Sequence, residues 1–255
     1  LKLAISGKGG VGKTTVSSAL VSLFSKTHQT VYAIDADPDA CLAAAVGIPD
    51  AAIKNLKPMV EMKDVISAKT GEGVFYNLNP KVDDVIDEYS IKLNNIRFLR
   101  MGGIKKGGSS CYCRENTFLY AIVNSLLLDQ DDVVIMDMGA GIEHLSRGTA
   151  KGVDIMLVVI EPSKNSVNTA RLVQKLAGDL GIKKVMFIGN KIRNQRDKDF
   201  ISSKFSDNEI LGFINFDESV WNNSMLEETA TISSQSLLFD MQKIYNKIIE
   251  EVNAE

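Results

Sequence analysis

Cysteine, proline and tryptophan are scarce in this chain, and neither sign of charge dominates. Of 255 residues three are cysteine, five proline and one tryptophan. Three cysteines build no disulfide framework, and so few prolines exclude a collagen-like chain. Long apolar runs are missing as well. The longest strand-like stretch, Ile155–Ile160, is far short of a membrane span. With 29 Lys+Arg against 32 Asp+Glu the formal net charge is −3, which disfavours a strongly basic nucleic-acid binder. The remainder is an ordinary globular composition, 45% hydrophobic and 24% charged, which excludes intrinsic disorder. The first residues, Leu1-Lys2-Leu3-Ala4-Ile5-Ser6, carry no signal-peptide pattern, so the expected compartment is the reducing cytoplasm.

Short β-type runs alternate with helical patterns from end to end. Strands are predicted at Leu3–Ser6, Thr30–Asp35, Ile96–Met101, Val133–Asp137, Asp154–Ile160, Lys184–Gly189 and Ile210–Ile214. Most are apolar at consecutive positions, as parallel strands covered on both faces must be. Helical spacing relates Val16, Ala19, Leu20, Leu23 and Phe24, then Leu119, Ile122, Val123, Leu126 and Leu127, then Leu172, Val173, Leu176 and Leu180. The alternation predicts an α/β fold, a doubly wound, mostly parallel sheet of about seven or eight strands with helices on both faces. No Pro/Gly/Ser linker divides the chain, so residues 1–255 read as a single domain. The stretch Ile48–Tyr89 is the least regular and predicts short helices over one sheet end. Leu237–Val252 reads as an amphipathic helix docked on the sheet. Its polar face carries Asp240, Glu250 and Glu251 against Lys243 and Lys247, a balance that does not suit an anionic membrane.

The strongest motif is Gly7-Lys8-Gly9-Gly10-Val11-Gly12-Lys13-Thr14-Thr15, between the first strand and the first helix. Glycine-rich turns let backbone N–H groups converge on phosphate oxygens, and the helix N-terminus adds its positive dipole end. Lys13 is placed to bridge terminal phosphates and the Thr14 hydroxyl to ligate Mg²⁺, as in P-loop NTPases. Lys8 is an unusual second lysine. It comes too early in the loop to duplicate Lys13, and it can instead reach the phosphates of a facing subunit, as an arginine finger does.

Carboxylates cluster after two further strands. In Asp35-Ala36-Asp37-Pro38-Asp39-Ala40-Cys41, Asp37 is the candidate to orient or activate an attacking water, and Asp35 holds Mg²⁺-bound water or the loop. Asp39 reads as a helix N-cap and Cys41 as a small buried hydrophobe. Val133–Asp137 ends in a carboxylate placed near Mg²⁺. The segment Met138–His144 that follows holds glycines suited to a rearranging switch, with His144 read as a hydrogen-bonding loop residue. Asn190-Lys191 closes the sixth strand, where the amide can read a purine edge and the lysine stem can pack on its face. Lys183, Lys184, Lys191, Arg193, Arg196 and Lys198 read as a solvated basic face.

Cys111-Tyr112-Cys113 lies between a glycine-rich loop and a helical pattern, near Lys105, Lys106 and Arg114, a setting that favours thiolate. In extended backbone, residues two apart project to one side, so both sulfurs can grip one ion. Two ligands do not close a site, since a stably held metal takes four donors. A two-fold dimer completes the set by duplicating both cysteines; an intramolecular site with Cys41 or His144 is the alternative.

Together these residues resemble the MinD/nitrogenase-iron-protein class of P-loop ATPases. Lys8 through Thr15 resembles that class's deviant Walker A motif. Within the class the chain is similar to CooC-type ATPases, which mature nickel carbon monoxide dehydrogenase. The strings that carry this are Asp35–Asp39, Asn79–Asp83, Lys105–Asn116 with its Cys-x-Cys, Met136–Leu145, Val159–Pro162 and Lys175–Gly181. The resemblance implies ATP/ADP and Mg²⁺ as ligands and a nucleotide-dependent homodimer in which Lys8 contacts the partner's phosphates. It makes Asp37 the switch I aspartate, Asp137 the Walker B aspartate and Asn190 the purine-binding asparagine. Cys111 and Cys113 match the family's metal pair, for Ni²⁺ with Zn²⁺ able to substitute. The implied client is carbon monoxide dehydrogenase, with acetyl-CoA synthase a second nickel enzyme of the right kind, and neither nucleic acid nor membrane is an expected partner. Ala36 departs from the pattern, standing where glycine is expected. Two other readings share the P-loop. A [4Fe–4S] electron donor like the nitrogenase iron protein needs a switch II cysteine, which Met138–Leu145 lacks. A MinD- or ParA-like positioning ATPase needs a membrane or DNA surface.

Overall fold

The computed structural model describes residues 1–37, 39, 41–71, 77–102, 113–129, 132–142, 145, 149–223 and 234–254. Strand β1 (Lys2–Ser6) feeds helix α1 (Lys13–Phe24), followed by β2 (Val31–Ala36) and α2 (Leu42–Ala45). Three short helices come next, α3 (Asp50–Lys54), α4 (Lys63–Thr70) and α5 (Asp83–Tyr89), as expected for the irregular stretch. A hairpin of β3 (Ile91–Leu93) and β4 (Ile96–Arg100) leads to α6 (Cys113–Asn124), which widens into a π-helical turn at Ser125–Asp129. The rest alternates: β5 (Val133–Met138), β6 (Ile155–Ile160), α7 (Lys164–Leu180), β7 (Val185–Ile192), α8 (Gln195–Ser202), β8 (Ile210–Asn215), α9 (Glu218–Asn223) and α10 (Gln235–Asn253). No helix among the described residues is long and apolar enough to cross a membrane.

The strands form one eight-stranded sheet in the order β3-β4-β2-β5-β1-β6-β7-β8. Every pairing is parallel except β3 with β4. All seven predicted strands form, with ends shifted by at most three residues. The unpredicted eighth is the edge strand β3, turned by Asn94-Asn95 with Asn94 in the left-handed region at φ 54°. Asparagine tolerates that conformation better than most residues, which makes it a hairpin former.

Strands β1, β2, β5 and β6 are buried at every position, so both faces are covered. The period of two separates the faces. Leu3, Ile5, Val31, Ala33, Val133 and Ile135 pack beneath α1, α2 and α10. Ala4, Tyr32, Ile34, Val134 and Met136 pack against α4 to α7. By the same parity Asp35 and Asp137, register partners at the ends of β2 and β5, project toward the α1 face.

Two expectations are corrected here. On α7 the buried stripe is Val167, Ala170, Val173 and Ala177, whereas Leu172 is 56% and Leu176 37% exposed. Two apolar stripes compete on this helix, and the smaller side chains let it lie close to the sheet. Asp240 is not on the solvent face of α10. It is buried and accepts bonds from the Asn215 backbone N–H (3.0 Å) and side-chain amide (2.9 Å), fastening α10 to the end of β8.

Candidate nucleotide site

The site gathers where the carboxyl ends of β1, β2, β5, β6 and β7 meet the N-terminus of α1. Helices α7, α8 and α10 start with side-chain caps from Ser163, Asn194 and Ser234. Helix α1 has none: its N-cap is Gly12, left-handed at φ 96°, and its first turn holds no acid. The unpaired N–H groups of that turn are the donors a phosphate needs. Gly12 also permits close approach, because a Cβ there would meet Asn190 Nδ2 at 2.3 Å.

Lys13 is buried, with Nζ 3.4 Å from Asp37 Oδ2. The Thr14 hydroxyl donates to Asp137 Oδ2 at 2.8 Å. Ser6 Oγ donates to the carbonyls of Gly139 and Gly141, tying the end of β1 to the switch segment after β5. The structure thus brings the P-loop, Asp37 and Asp137 together.

Asp35 and Asp137 are fully buried on neighbouring strands. Burial pushes the Asp35 carboxyl up to about 7, and the Asp137 charge adds to it. Burial also raises Asp137 to about 6, against the pull of the Thr14 hydroxyl and the Lys13 ammonium. Asp137 Oδ1 is buried with no hydrogen-bond partner among the described residues. An orphaned carboxylate oxygen beside a threonine hydroxyl is a donor set that fits Mg²⁺.

Asp35 holds the loop, one of its two expected roles. Its Oδ2 accepts from Leu42 N–H (3.0 Å) and its Oδ1 from Asp37 N–H (3.3 Å). The expectation that Asp39 caps the next helix is therefore corrected. Asp39 is exposed, Cys41 occupies the N-cap position of α2, and the orphan N–H at its start goes to Asp35. Cys41 is corrected too. It is exposed, its Sγ donates to the Asp39 carbonyl, and partial burial followed by the surrounding aspartates raises its thiol. A thiol held protonated is a poor metal ligand, which weakens the intramolecular completion through Cys41. His28 lies at the far end of α1 against Phe24 and Thr27.

Asn190 is buried, donating to the Val11 carbonyl at 2.8 Å and accepting from Lys191 N–H. Lys191 is left-handed at φ 59°, a conformation uncommon for lysine, and its Nζ donates to the Gly10 carbonyl. Beside them opens a cleft of about 170 Å³. Its far wall, Asn215 to Asp217 with Val220 and Trp221, escaped the sequence reading. Asp217 braces this wall by accepting from Ser219, Val220 and Ser234, and the two serine hydroxyls hold its carboxyl well down, at about 2. Lys8 Nζ stands 3.6 Å from Glu161 Oε1, a residue of the Val159–Pro162 string with no role of its own in the sequence reading.

Cys111 and His144 lie outside the described residues, as does the Lys105–Tyr112 loop. Cys113 opens α6. Among the described residues no group of three or more His, Cys, Asp or Glu is placed to hold a metal ion.

Comparison with known proteins identifies the family and the fold. The chain is 41% identical over 261 residues to an uncharacterised ATP-binding protein of Methanocaldococcus jannaschii, covering 99% of each. It is 38% identical over 224 residues to the carbon monoxide dehydrogenase accessory protein CooC of Rhodospirillum rubrum, covering 86% of this chain and 85% of that one. The fold matches MinD of Pyrococcus horikoshii complexed with Mg-ADP (TM-score 0.66, 20% identity, 97% of this chain and 95% of that one). It also matches a plasmid partition protein of Borrelia burgdorferi bound to AMPPNP (TM-score 0.70, 16% identity, 98% of each). The CobQ/CobB/MinD/ParA nucleotide-binding domain matches residues 2–229, and the chain belongs to that family of P-loop ATPases.

Proposed function

We propose that this ATPase is a nickel-insertion chaperone that works as a homodimer and serves a nickel enzyme, carbon monoxide dehydrogenase before acetyl-CoA synthase. The observation that carries the reading is the pairing, in one chain, of Cys111-x-Cys113 with a P-loop containing Lys8, in a sequence 38% identical to CooC over 86% of its length.

Lys13 and the uncapped N–H groups of α1 hold the β- and γ-phosphates, with Gly7, Gly9, Gly10, Val11, Gly12 and Thr15 shaping the cradle. Thr14 and Asp137 hold Mg²⁺, which when bound neutralises phosphate charge. Asp37 leaves Lys13 and orients the attacking water, and Lys8 reaches the partner's phosphates. Asn190 retains one amide N–H beyond its bond to Val11, enough for one purine acceptor. The Lys191 stem and the Phe216–Trp221 wall flank the base. Across the two-fold axis, Cys111 and Cys113 of both copies supply four thiolates for the Ni²⁺ cargo. Thiolates also bind Zn²⁺ well, so the choice of nickel falls to supply and client. Residues 1–255 act as one domain.

The test is an anaerobic Ni²⁺ and Zn²⁺ titration of reduced protein, read by native mass spectrometry with and without nucleotide. One ion per two chains is expected, lost in Cys111→Ser and in Cys113→Ser. A monomer holding its ion at full occupancy overturns the shared site. A brown, oxygen-sensitive protein points instead to the iron–sulfur donor.

A further inference from the structure

Glu161 sits between the two lysines that flank the P-loop. Its Oε1 is 3.6 Å from Lys8 Nζ and its Oε2 3.5 Å from Lys191 Nζ. The two lysines come from opposite sides of the cradle. Lys8 follows β1, whereas Lys191 ends β7, lines the cleft and donates to the Gly10 carbonyl. One carboxylate therefore balances both ammonium groups.

The partners differ in how firmly they are held. Glu161 follows directly on β6, its N–H donates to Ser166 Oγ (3.1 Å) and its carbonyl accepts from Ser163 N–H (2.7 Å). The Ser163 hydroxyl, which caps α7, also donates to Oε1 (3.3 Å). Backbone and carboxylate are thus fixed from two sides. Lys8 stands in a turn closed by a bond from Val11 N–H to its carbonyl, followed by Gly9 and Gly10. A Cβ at either glycine would meet nothing within 4 Å, so this side of the loop has open space around it. When the pair separates, the lysine is the partner that moves.

The pair is also easily broken. The side chains of Lys8 and Glu161 are 39% and 24% exposed, a range in which an ion pair is weak and screened. A nucleotide triphosphate offers several negative charges where Glu161 offers one.

We propose that Glu161 is a positioning residue that parks Lys8 on its own protomer and releases it when a second copy presents nucleotide phosphates. The inference rests on the proposed role of Lys8 across a dimer. Because Lys191 shares the same carboxylate, a base that engages Lys191 in the cleft alters the hold on Lys8, so nucleotide occupancy and release are linked through one group.

Two measurements on the full chain separate this proposal from the reading beneath it. The first is trace acetylation of Lys8 in nucleotide-free protein, quantified by peptide mass spectrometry. In Glu161→Gln, which keeps shape and loses charge, Lys8 is expected to react about two- to fivefold faster than in the parent, the span of an exposed ion pair. The second is pairing driven by a non-hydrolysable ATP analogue, followed by sedimentation over a range of protein concentrations. Glu161→Gln is expected to pair at a severalfold lower concentration than the parent, and to lose that advantage in a Lys8→Ala background. Unchanged Lys8 reactivity, or pairing at the parental concentration or above, overturns the parking role. Undiminished pairing of Lys8→Ala overturns the trans role of Lys8 and with it this proposal.

Discussion

A carboxylate stripped of water needs a proton or a cation, and Asp35 and Asp137 lie side by side with Lys13 and the Thr14 hydroxyl for company. Asp35 is raised to about 7 and Asp137 to about 6, against about 4 in an unfolded chain. Between about pH 4 and 7 the native state therefore binds more protons than the unfolded state, and stability falls as pH rises through that window. The unfolding midpoint of nucleotide-free protein is expected to drop by a few degrees from about pH 5 to 8, and less steeply with Mg-ADP bound. A midpoint that climbs with pH over that range contradicts this account. Gly12 gives a second prediction. Alanine there combines a φ of 96° with a Cβ 2.3 Å from Asn190 Nδ2, so Gly12→Ala should lose about 1–3 kcal/mol of stability and most ADP binding, measured by thermal unfolding and calorimetry. The motif residues were legible because each needs its side-chain type at a fixed offset from one strand. Asp35 as the cap of α2, and Glu161 beside Lys8, were not legible in that way. Choosing Asp35 over Asp39 depends on where the chain turns after β2, and the Lys8–Glu161 contact joins residues that follow β1 and β6, far apart in the chain.

Elements were legible in proportion to how one-sided their patterns are. The predicted strands, most of them apolar at consecutive positions, admit one interpretation, and all seven form. Helix α7 carries two apolar stripes, and only packing against the sheet decides for Val167, Ala170, Val173 and Ala177 over the leucines. Strand β3 is three residues long and pairs on one side only, too short for a periodic signal. Asp240 was misplaced because a carboxylate in a helix reads as solvent-facing until its acceptor role at the end of β8 is seen. Its removal leaves the Asn215 N–H groups without their partner, next to the cleft wall. Asp240→Ala is expected to cost about 1–3 kcal/mol in denaturant unfolding and to weaken ADP binding severalfold. Trp221, the one tryptophan, lines that cleft and reports the binding by fluorescence titration. Unchanged ADP affinity in Asp240→Ala would detach α10 from the nucleotide wall.

At the scale of the whole molecule, the proposed dimer ties two ligands to one equilibrium. On that proposal nucleotide favours pairing through Lys8 and pairing completes the four-thiolate site, so nucleotide must tighten metal binding. Linkage then fixes the converse, since the factor by which an ATP analogue raises Ni²⁺ affinity equals the factor by which Ni²⁺ raises analogue affinity. For couplings of ordinary size that factor is about 5- to 150-fold. Calorimetry in both orders of addition measures it, with protein concentration held constant because pairing depends on it. The two factors are expected to agree, and in the Cys111→Ser/Cys113→Ser double variant, which still binds the analogue, added Ni²⁺ is expected to leave analogue affinity unchanged. In Lys8→Ala the metal affinity should persist at high protein concentration while its dependence on nucleotide disappears. Strong Ni²⁺ binding with no coupling in either order means that the thiols and the P-loop share a chain without sharing a conformational change, and ATP hydrolysis then has no means of releasing the metal.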